Sequence, residues 1–199
     1  MQPRPDDIPT SAPDGAAAAP IAPVAAAPAS ARLFLALWPD PAVRDALRTW
    51  RDAWTWPRGA SPVHTDKLHV TLHFLGDQPR ARLPELLDGF ALPFTPFALR
   101  LDVAELWHNG IAVLAPETPP QPLLDLHARL TQALIDLGLQ PEARAYRPHV
   151  TMARRATGAG LPPAGQVLDW QVDGYALVES RPTQKQGQGG GYTVLREYR

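Results

Sequence analysis

A four-residue motif that combines an imidazole with a hydroxyl occurs twice in the chain. The first copy, His-Val-Thr-Leu, occupies residues 69–72, and the second, His-Val-Thr-Met, occupies residues 149–152. Histidine, with a pKa of about 6.5, can hold or release a proton near neutral pH. A neutral and a protonated imidazole can act as general base and general acid on a phosphodiester, and two hydroxyls can hold its phosphate oxygens. The repeated motif therefore indicates acid–base chemistry at a phosphate.

Both copies are predicted to be β-strands, because Val, Thr and an apolar residue fit a pleated, half-buried surface. Alternate side chains of a strand share one face, roughly 6 to 7 Å apart at a rise of ~3.3 Å per residue. We therefore expect His69 and Thr71 to lie on one face of their strand, and His149 and Thr151 on one face of theirs. The intervening apolar residues are predicted to belong to the core: Val70, Leu72, Phe74, Val150 and Met152.

The motifs and their surroundings resemble the 2H phosphoesterase superfamily, and within it the family of bacterial RNA 2',3'-cyclic phosphodiesterases, also called 2'-5' RNA ligases. The resemblance extends over about residues 32–197, and the second motif has an arginine, Arg154, five residues after its histidine. The segments that carry it are the apolar strand 32–37, Leu-His-Val-Thr-Leu-His-Phe-Leu-Gly at 68–76, Arg-Pro-His-Val-Thr at 147–151, Glu-Ser-Arg at 179–181 and Tyr-Thr-Val-Leu at 192–195.

This resemblance implies hydrolysis of a 2',3'-cyclic phosphate at an RNA end to a 2'-phosphomonoester, without a metal or another cofactor. It implies that His149 is the general base that accepts a proton from water, and that His69 is the general acid that donates one to the leaving oxygen. It also implies that Thr71, Thr151 and Arg154 bind the phosphoryl oxygens. The two tetrapeptides alone do not distinguish the base from the acid. Run in reverse, the same site would join a cyclic end to a 5'-hydroxyl.

Several alternatives remain open at this point. A related enzyme could open ADP-ribose 1'',2''-cyclic phosphate or cleave 2'-5' oligonucleotides, and a non-catalytic protein could use the same site to bind RNA ends. His69 and His73 have the spacing of two zinc ligands on a helix, but on a strand this spacing spans ~13 Å, too far for one ion. We therefore predict no metal site. On a strand His73 shares the face of His69 and is expected at the cleft without a catalytic role.

Composition limits the kind of partner that the chain can have. The formal net charge of −1 excludes the broad basic surface of a protein that coats long nucleic acid, so that RNA 3' ends or small cyclic nucleotides are the expected substrates. The chain has no cysteine, which fits a reducing compartment, and we expect a cytoplasmic monomer. No run approaches the ~18 apolar residues that span a bilayer, and we expect no membrane association.

The order of predicted elements indicates an α+β fold, in which residues 32–199 form two pseudo-symmetric lobes with antiparallel sheets, outer helices and a central cleft that carries both motifs. Residues 1–31, rich in Ala and Pro, are predicted to form a disordered tail. Asp40 and Pro41 are predicted to start a first helix, whose Trp50 and Trp54 belong to the core. Further helices are predicted at 80–90 and 122–137, strands at 97–107, 111–114, 167–179 and 192–198, and a mobile hairpin loop at 182–191.

Overall fold

The structure, a computed structural model, describes residues 29–181 and 191–199. Its helices are α1 (Pro41–Asp52), α2 (Leu83–Gly89) and α3 (Gln121–Asp136), and short 3-10 turns lie at Thr65–Lys67 and Arg80–Arg82. The strands are β1 (Ser30–Leu37), β2 (Ser61–Pro62), β3 (Val70–Pro79), β4 (Phe97–Leu101), β5 (Val103–Leu106), β6 (Ala112–Ala115), β7 (Val150–Arg154), β8 (Leu168–Val172), β9 (Tyr175–Ser180) and β10 (Tyr192–Tyr198).

Most of these strands form one sheet in the order β10-β9-β1-β3-β7-β6-β5, with β2 also paired to β7. Strands β4 and β8 form a separate two-stranded sheet. The pairings within both sheets are antiparallel. The α+β fold with antiparallel sheets predicted from the sequence is therefore confirmed, and the two motif strands, β3 and β7, lie next to each other at the centre of the main sheet.

The two motif strands join the halves of this sheet through a single residue pair, Val70 opposite Val150. On the outer sides of this pair, Leu37 of β1 faces Val70 and Leu114 of β6 faces Val150. All four side chains are fully buried. Each such burial contributes about 1.5–3 kcal/mol, so that this row of four stabilises the junction. The two halves of the main sheet therefore meet at the motifs.

Strand β3 bulges directly after Thr71. Its register with β1 advances by one residue between Thr71 and His73, so that Leu72 is an extra residue in the strand. A bulge of one residue reverses the faces of the side chains that follow it. His73 is accordingly only 5% exposed and joins the core, whereas Phe74 is 50% exposed. The predictions that Phe74 is a core residue and that His73 lies at the cleft are therefore wrong.

Strand β7 bulges at the equivalent place. Its register with β6 shifts between Thr151 and Ala153, which leaves Met152 as the extra residue. The shift turns Arg154, an exposed residue at the end of the strand, towards the face that carries the motif hydroxyl. Arg154 and Phe74 each stand five residues after a motif histidine. The two bulges thus direct one guanidinium and one aromatic ring to the same side of the sheet.

Helix α1 starts as the sequence predicts. The carboxylate of Asp40 accepts a hydrogen bond from the backbone N–H of Val43 at 2.8 Å, and Pro41 is the first helical residue. This cap satisfies a backbone donor that the first helical turn leaves free. Trp50 and Trp54 are buried, so that their predicted place in the core is confirmed.

The remaining elements differ from prediction mainly at their boundaries. The predicted strand at 97–107 is two strands, β4 and β5, which belong to different sheets, and the predicted strand at 167–179 is likewise divided into β8 and β9. Strand β1 begins at Ser30, inside the predicted tail and two residues before the predicted start of the strand at residue 32. Residues 1–28 of the predicted tail, and residues 182–190 of the loop predicted at 182–191, lie outside the described residues. Within the described part of the chain, each helix falls short of the length and apolar character needed to cross a membrane.

Candidate active site

His69 lies immediately before β3, between the fully buried Leu68 and Val70. Its Nδ1 is 2.7 Å from the carbonyl oxygen of Lys67. Because a carbonyl only accepts, Nδ1 carries the proton, and Nε2 of the neutral ring is left as an acceptor. Nε2 lies 3.0 Å from Oγ1 of Thr71, which donates to it. The structure thus brings the two predicted side chains of the first motif into direct contact.

His149 occupies the equivalent position before β7. Its Nδ1–H donates to the carbonyl oxygen of Arg147 at 2.7 Å, so that this ring has the same neutral tautomer as His69. Among the residues that the structure describes, neither Nε2 of His149 nor the hydroxyl of Thr151 has a hydrogen-bond partner. The lone pair of Nε2 is therefore available to accept a proton.

The antiparallel pair at Val70 and Val150 determines how the two motifs meet. In a pair centred on these valines, His69 is the neighbour of Thr151, and His149 is the neighbour of Thr71, on the face away from the buried valines. The positive charge of a protonated His149 lowers the pKa of His69, which places the two imidazoles within electrostatic range. Two motifs eighty residues apart in sequence thus form one site.

Burial and positive charge both favour the neutral form of the two rings. Burial lowers the pKa of His69 to about 4; the hydrogen bond to the Lys67 carbonyl opposes this shift, and the charges of His149, Arg44 and Arg154 add to it. Burial is also the main cause that lowers the pKa of His149. Without a bound anion, both imidazoles are therefore neutral at pH 7.

Arg154 is a cation within electrostatic range of both motif histidines. Its positive charge lowers the pKa of both His69 and His149, and it also opposes the rise that burial causes in the pKa of Tyr192. Within the described residues, the guanidinium has no ion pair and no side-chain hydrogen bond. An arginine with free donors beside two imidazoles can bind a phosphate through two parallel hydrogen bonds.

Aromatic side chains surround His69, and sequence reasoning missed them. The ring of Phe34 lies 4.9 Å from the imidazole, that of Trp38 stacks on it at 5.7 Å, and that of Tyr192 meets it edge-on at 5.5 Å. Phe74 extends this wall, with its ring 6.3 Å from that of Phe34. A signal was present, because Phe34 in β1 and Trp38 directly after it are four residues apart, an even spacing that places both on one face of an apolar strand. The His69 side of the site is therefore mostly apolar.

A different cluster flanks His149. The ring of Trp107 lies 4.6 Å from its imidazole, and the guanidinium of Arg147 lies 4.7 Å above the Trp107 ring. Glu105 holds both neighbours, since its Oε2 accepts from the indole N–H at 2.7 Å and from Arg147 at 3.2 Å. Sequence reasoning missed this cluster too, because its members come from separate segments. The His149 side is therefore cationic as well as aromatic.

His73 belongs to a buried stack behind the site. Its Nε2–H donates to the carbonyl oxygen of His127 in α3 at 3.1 Å, and the two imidazoles stack at 4.1 Å. The other face of His127 stacks on Tyr146 at 3.9 Å. Burial is the main cause that lowers the pKa of His73, and it lowers that of His127 to about 4. His73 therefore supports packing between β3 and α3, and its side chain lies on the opposite face of the strand from Thr71.

The described residues contain no group of three or more His, Cys, Asp or Glu side chains that is arranged to hold a metal ion. The side chains that the two motif strands bring together are the two imidazoles, the two threonine hydroxyls and that of Arg154.

Residues 38–183 match the 2'-5' RNA ligase superfamily, and the chain belongs to that superfamily. It is 33% identical over 180 residues to the RNA 2',3'-cyclic phosphodiesterase of Thermus thermophilus, covering 84% of this chain and 89% of the relative. It is 31% identical over 153 residues to the RNA 2',3'-cyclic phosphodiesterase of Escherichia coli, covering 75% and 86% of the two chains.

The fold is similar to that of Escherichia coli LigT. The crystal structure of its apo form has a TM-score of 0.75 and 28% sequence identity to this chain, covering 86% of this chain and 98% of LigT. LigT has also been crystallised in complex with 3'-AMP and with phosphate, and these structures have TM-scores of 0.73 and 0.72.

Proposed function

We propose that this protein hydrolyses the 2',3'-cyclic phosphodiester at the end of an RNA chain and leaves a 2'-phosphomonoester. One observation carries the proposal: two imidazoles in the same neutral tautomer lie within electrostatic range of each other and of one arginine with free donors. The names of the Thermus thermophilus and Escherichia coli relatives, and the complexes of LigT with 3'-AMP and with phosphate, support the same chemistry.

In the proposed mechanism, His149 is the general base and His69 the general acid. Nε2 of His149 takes a proton from water as the water oxygen bonds to phosphorus. The bond between phosphorus and the 3' oxygen breaks, and Nε2 of His69 gives a proton to that oxygen. One proton is taken up and one is released, and no metal is needed. The free Nε2 of His149 supports its assignment as the base, since Nε2 of His69 is already in contact with Thr71.

His69 can act as an acid despite its low pKa, because the substrate carries a negative charge. A cyclic phosphodiester is an anion, and a nearby negative charge favours the protonated form of an imidazole. Binding of the substrate between the rings thus supplies the protonation that the free protein lacks at pH 7. Arg154, Thr71 and Thr151 bind the non-bridging oxygens, where negative charge increases in the transition state.

Phe74 is proposed to bind the nucleobase of the substrate. Its ring is half exposed on the same side of the sheet as the motif hydroxyls, and it adjoins the aromatic wall around His69. Aromatic rings stack on bases whatever their sequence. An apolar platform at this place fits a protein that holds a terminal nucleotide and carries little net charge.

The test is a hydrolysis assay with adenosine 2',3'-cyclic phosphate in the presence of EDTA, with the product identified by chromatography against 2'-AMP and 3'-AMP. We expect 2'-AMP as the product, formed at the same rate with and without EDTA. A 3'-AMP product would mean that the 2' oxygen leaves instead of the 3' oxygen, which would contradict the mechanism. An absolute need for added metal would also contradict it. ADP-ribose 1'',2''-cyclic phosphate in the same assay separates the related activity, and binding without any product would indicate an RNA-end binding module.

A further inference from the structure

Each motif histidine has a tryptophan beside it and an arginine over that tryptophan, but only one of the two arginines is exposed. Over Trp38, on the His69 side, lies Arg44 at 5.1 Å; it is half-buried and donates to the carbonyl oxygens of Pro39 and Thr65. Over Trp107, on the His149 side, lies Arg147, whose side chain is 64% exposed.

The guanidinium of Arg147 is held in place from two directions. The ring of Trp107 lies beneath it at 4.7 Å, and Oε2 of Glu105 accepts a hydrogen bond from its edge at 3.2 Å. The same carboxylate oxygen fixes the indole N–H, and the backbone N–H of Trp107 donates to the carbonyl oxygen of Ile111 across the β5–β6 hairpin. The indole ring thus covers one side of the guanidinium, while much of the side chain faces solvent. Guanidinium planes, like aromatic rings, stack on nucleobases.

The guanidinium of Arg147 lies on the His149 side of the site, and this position indicates which nucleoside of a substrate would stack on it. In the proposed function, on which this inference rests, His149 serves the oxygen that attacks phosphorus. When that oxygen belongs to a 5'-hydroxyl instead of water, the product is a 2',5' linkage, and the attached nucleoside must lie on the His149 side, because the attacking and leaving oxygens are in line through phosphorus.

We propose that the exposed plane of Arg147, supported by Trp107 and Glu105, is a stacking site for the base of the nucleoside that carries the 5' oxygen of a 2',5' linkage. In cleavage, the 3'-hydroxyl of the other nucleoside bonds to phosphorus and its proton goes to His69. The bond to the 5' oxygen breaks, and that oxygen takes a proton from His149. Ligation is the reverse. Hydrolysis by water places no base at this site.

The experiment compares two substrates and two matched variants. Adenylyl-(2',5')-adenosine reports on the stacking site, and adenosine 2',3'-cyclic phosphate reports on the proposed function. Arg147→Lys keeps the positive charge near His149 and removes the plane. Arg144→Lys is the control, because Arg144 is exposed, its charge also acts on His149, and it pairs with Glu142 instead of lying on an aromatic ring.

We expect Arg147→Lys to lower kcat/KM for the dinucleotide at least fivefold relative to kcat/KM for the cyclic nucleotide, since loss of one base stack costs roughly 5-fold to 140-fold. Arg144→Lys should change this ratio less than twofold. An unchanged ratio in Arg147→Lys overturns the inference, and so does a wild-type protein that opens the cyclic nucleotide but does not cleave the dinucleotide. A wild-type protein without activity on the cyclic nucleotide overturns the proposed function itself.

A base-free substrate gives an independent measurement. In adenosine 2'-(methyl phosphate), a methyl group replaces the nucleoside on the leaving oxygen. We expect the wild-type protein and Arg147→Lys to cleave this compound at rates within twofold of each other. A fivefold or larger loss in the variant would show that Arg147 acts through charge or packing and would contradict a stacking role.

Discussion

The two motif copies share their backbone and differ in what surrounds it. Both histidines precede a central strand, donate Nδ1–H to the carbonyl two residues earlier, and are followed by a bulge directly after the threonine. The residue that the bulge turns outward is Phe74 in the first copy and Arg154 in the second. Among the residues that the structure describes, the first histidine contacts three aromatic rings, whereas the second contacts one, which lies beneath a guanidinium.

This difference shows how one local structure can serve two ends of a substrate. The charge and hydrogen-bond donors of Arg154 suit a phosphate, while the apolar wall near Phe74 suits a base. Equivalent bulges in β3 and β7 direct these two side chains to the same face of the sheet. The difference between the two copies is therefore set by side-chain identity and not by backbone shape.

The largest effect is expected where the two copies are most alike. His69→Ala and His149→Ala should each lower kcat on adenosine 2',3'-cyclic phosphate by about 10³-fold, within the range that general acid–base groups supply. His64→Ala is the control, because that histidine is exposed and its Nδ1 lies 3.3 Å from a carboxylate oxygen of Asp66. Steady-state kinetics measure the effect, and thermal unfolding checks the fold. Turnover within tenfold of wild type in either motif variant would contradict a paired mechanism.

Arg154→Met should lower kcat by about 10²-fold, because one donor to the charge of the transition state is worth this much. The loss should be the same with adenosine 2',3'-cyclic phosphate and with ribose 2',3'-cyclic phosphate, which lacks the base. Arg155→Met, at the next exposed position, is the control; its guanidinium donates to the hydroxyl of Ser61. A loss of kcat that differed between the adenosine and ribose substrates would show that Arg154 does not act on the phosphate alone.

Phe74→Ala should show the opposite dependence on substrate. We expect about a tenfold loss of kcat/KM with the adenosine substrate, since stacking of a base contributes about 1–3 kcal/mol, and a loss below twofold with the base-free ribose substrate. Phe74→Tyr keeps a ring and should retain most of the activity. Equal losses on both substrates would mean that Phe74 supports the site by packing and does not bind the base.

The pH dependence should reveal the effect of the substrate anion on the two histidines. Because burial lowers both pKa values in the free protein, to about 4 for His69, we expect the maximum of kcat/KM to lie below pH 7. The profile of kcat should be displaced to higher pH, since the bound anion raises both pKa values. Coincident profiles would show that the substrate does not alter the protonation of the pair.

The smallest effect concerns the stack behind the site. Folding lowers the pKa of His73, and that of His127 to about 4, so that the unfolded chain binds protons first as the pH falls. The stabilisation is fully present above about pH 6.5 and is lost towards pH 4. In urea unfolding, His127→Phe should therefore lose less stability than wild type between pH 7 and pH 4.5. An equal loss would show that these rings do not contribute.

Much of the fold and part of the site could be predicted from local pattern. Apolar periodicity defines α1 and α3, and the cap at Asp40 marks the start of α1, because these signals act within a few residues along the chain. The repeated motif indicates strands that present an imidazole with a hydroxyl. The pattern stops being sufficient at Leu72 and Met152, where a bulge interrupts the alternation on which the assignment of Phe74 and His73 depended.

What the sequence by itself determined is therefore the chemistry available: two imidazoles, two hydroxyls and an arginine at a fixed offset, on a chain that resembles 2H phosphoesterases. What the tertiary structure decided is which side chains face one another. The bulges arise from pairing with β1 and β6, and the free Nε2 of His149 and the Trp107 cluster depend on contacts between distant segments. A strand's register belongs to a pair of strands, so that no single stretch of sequence contains it.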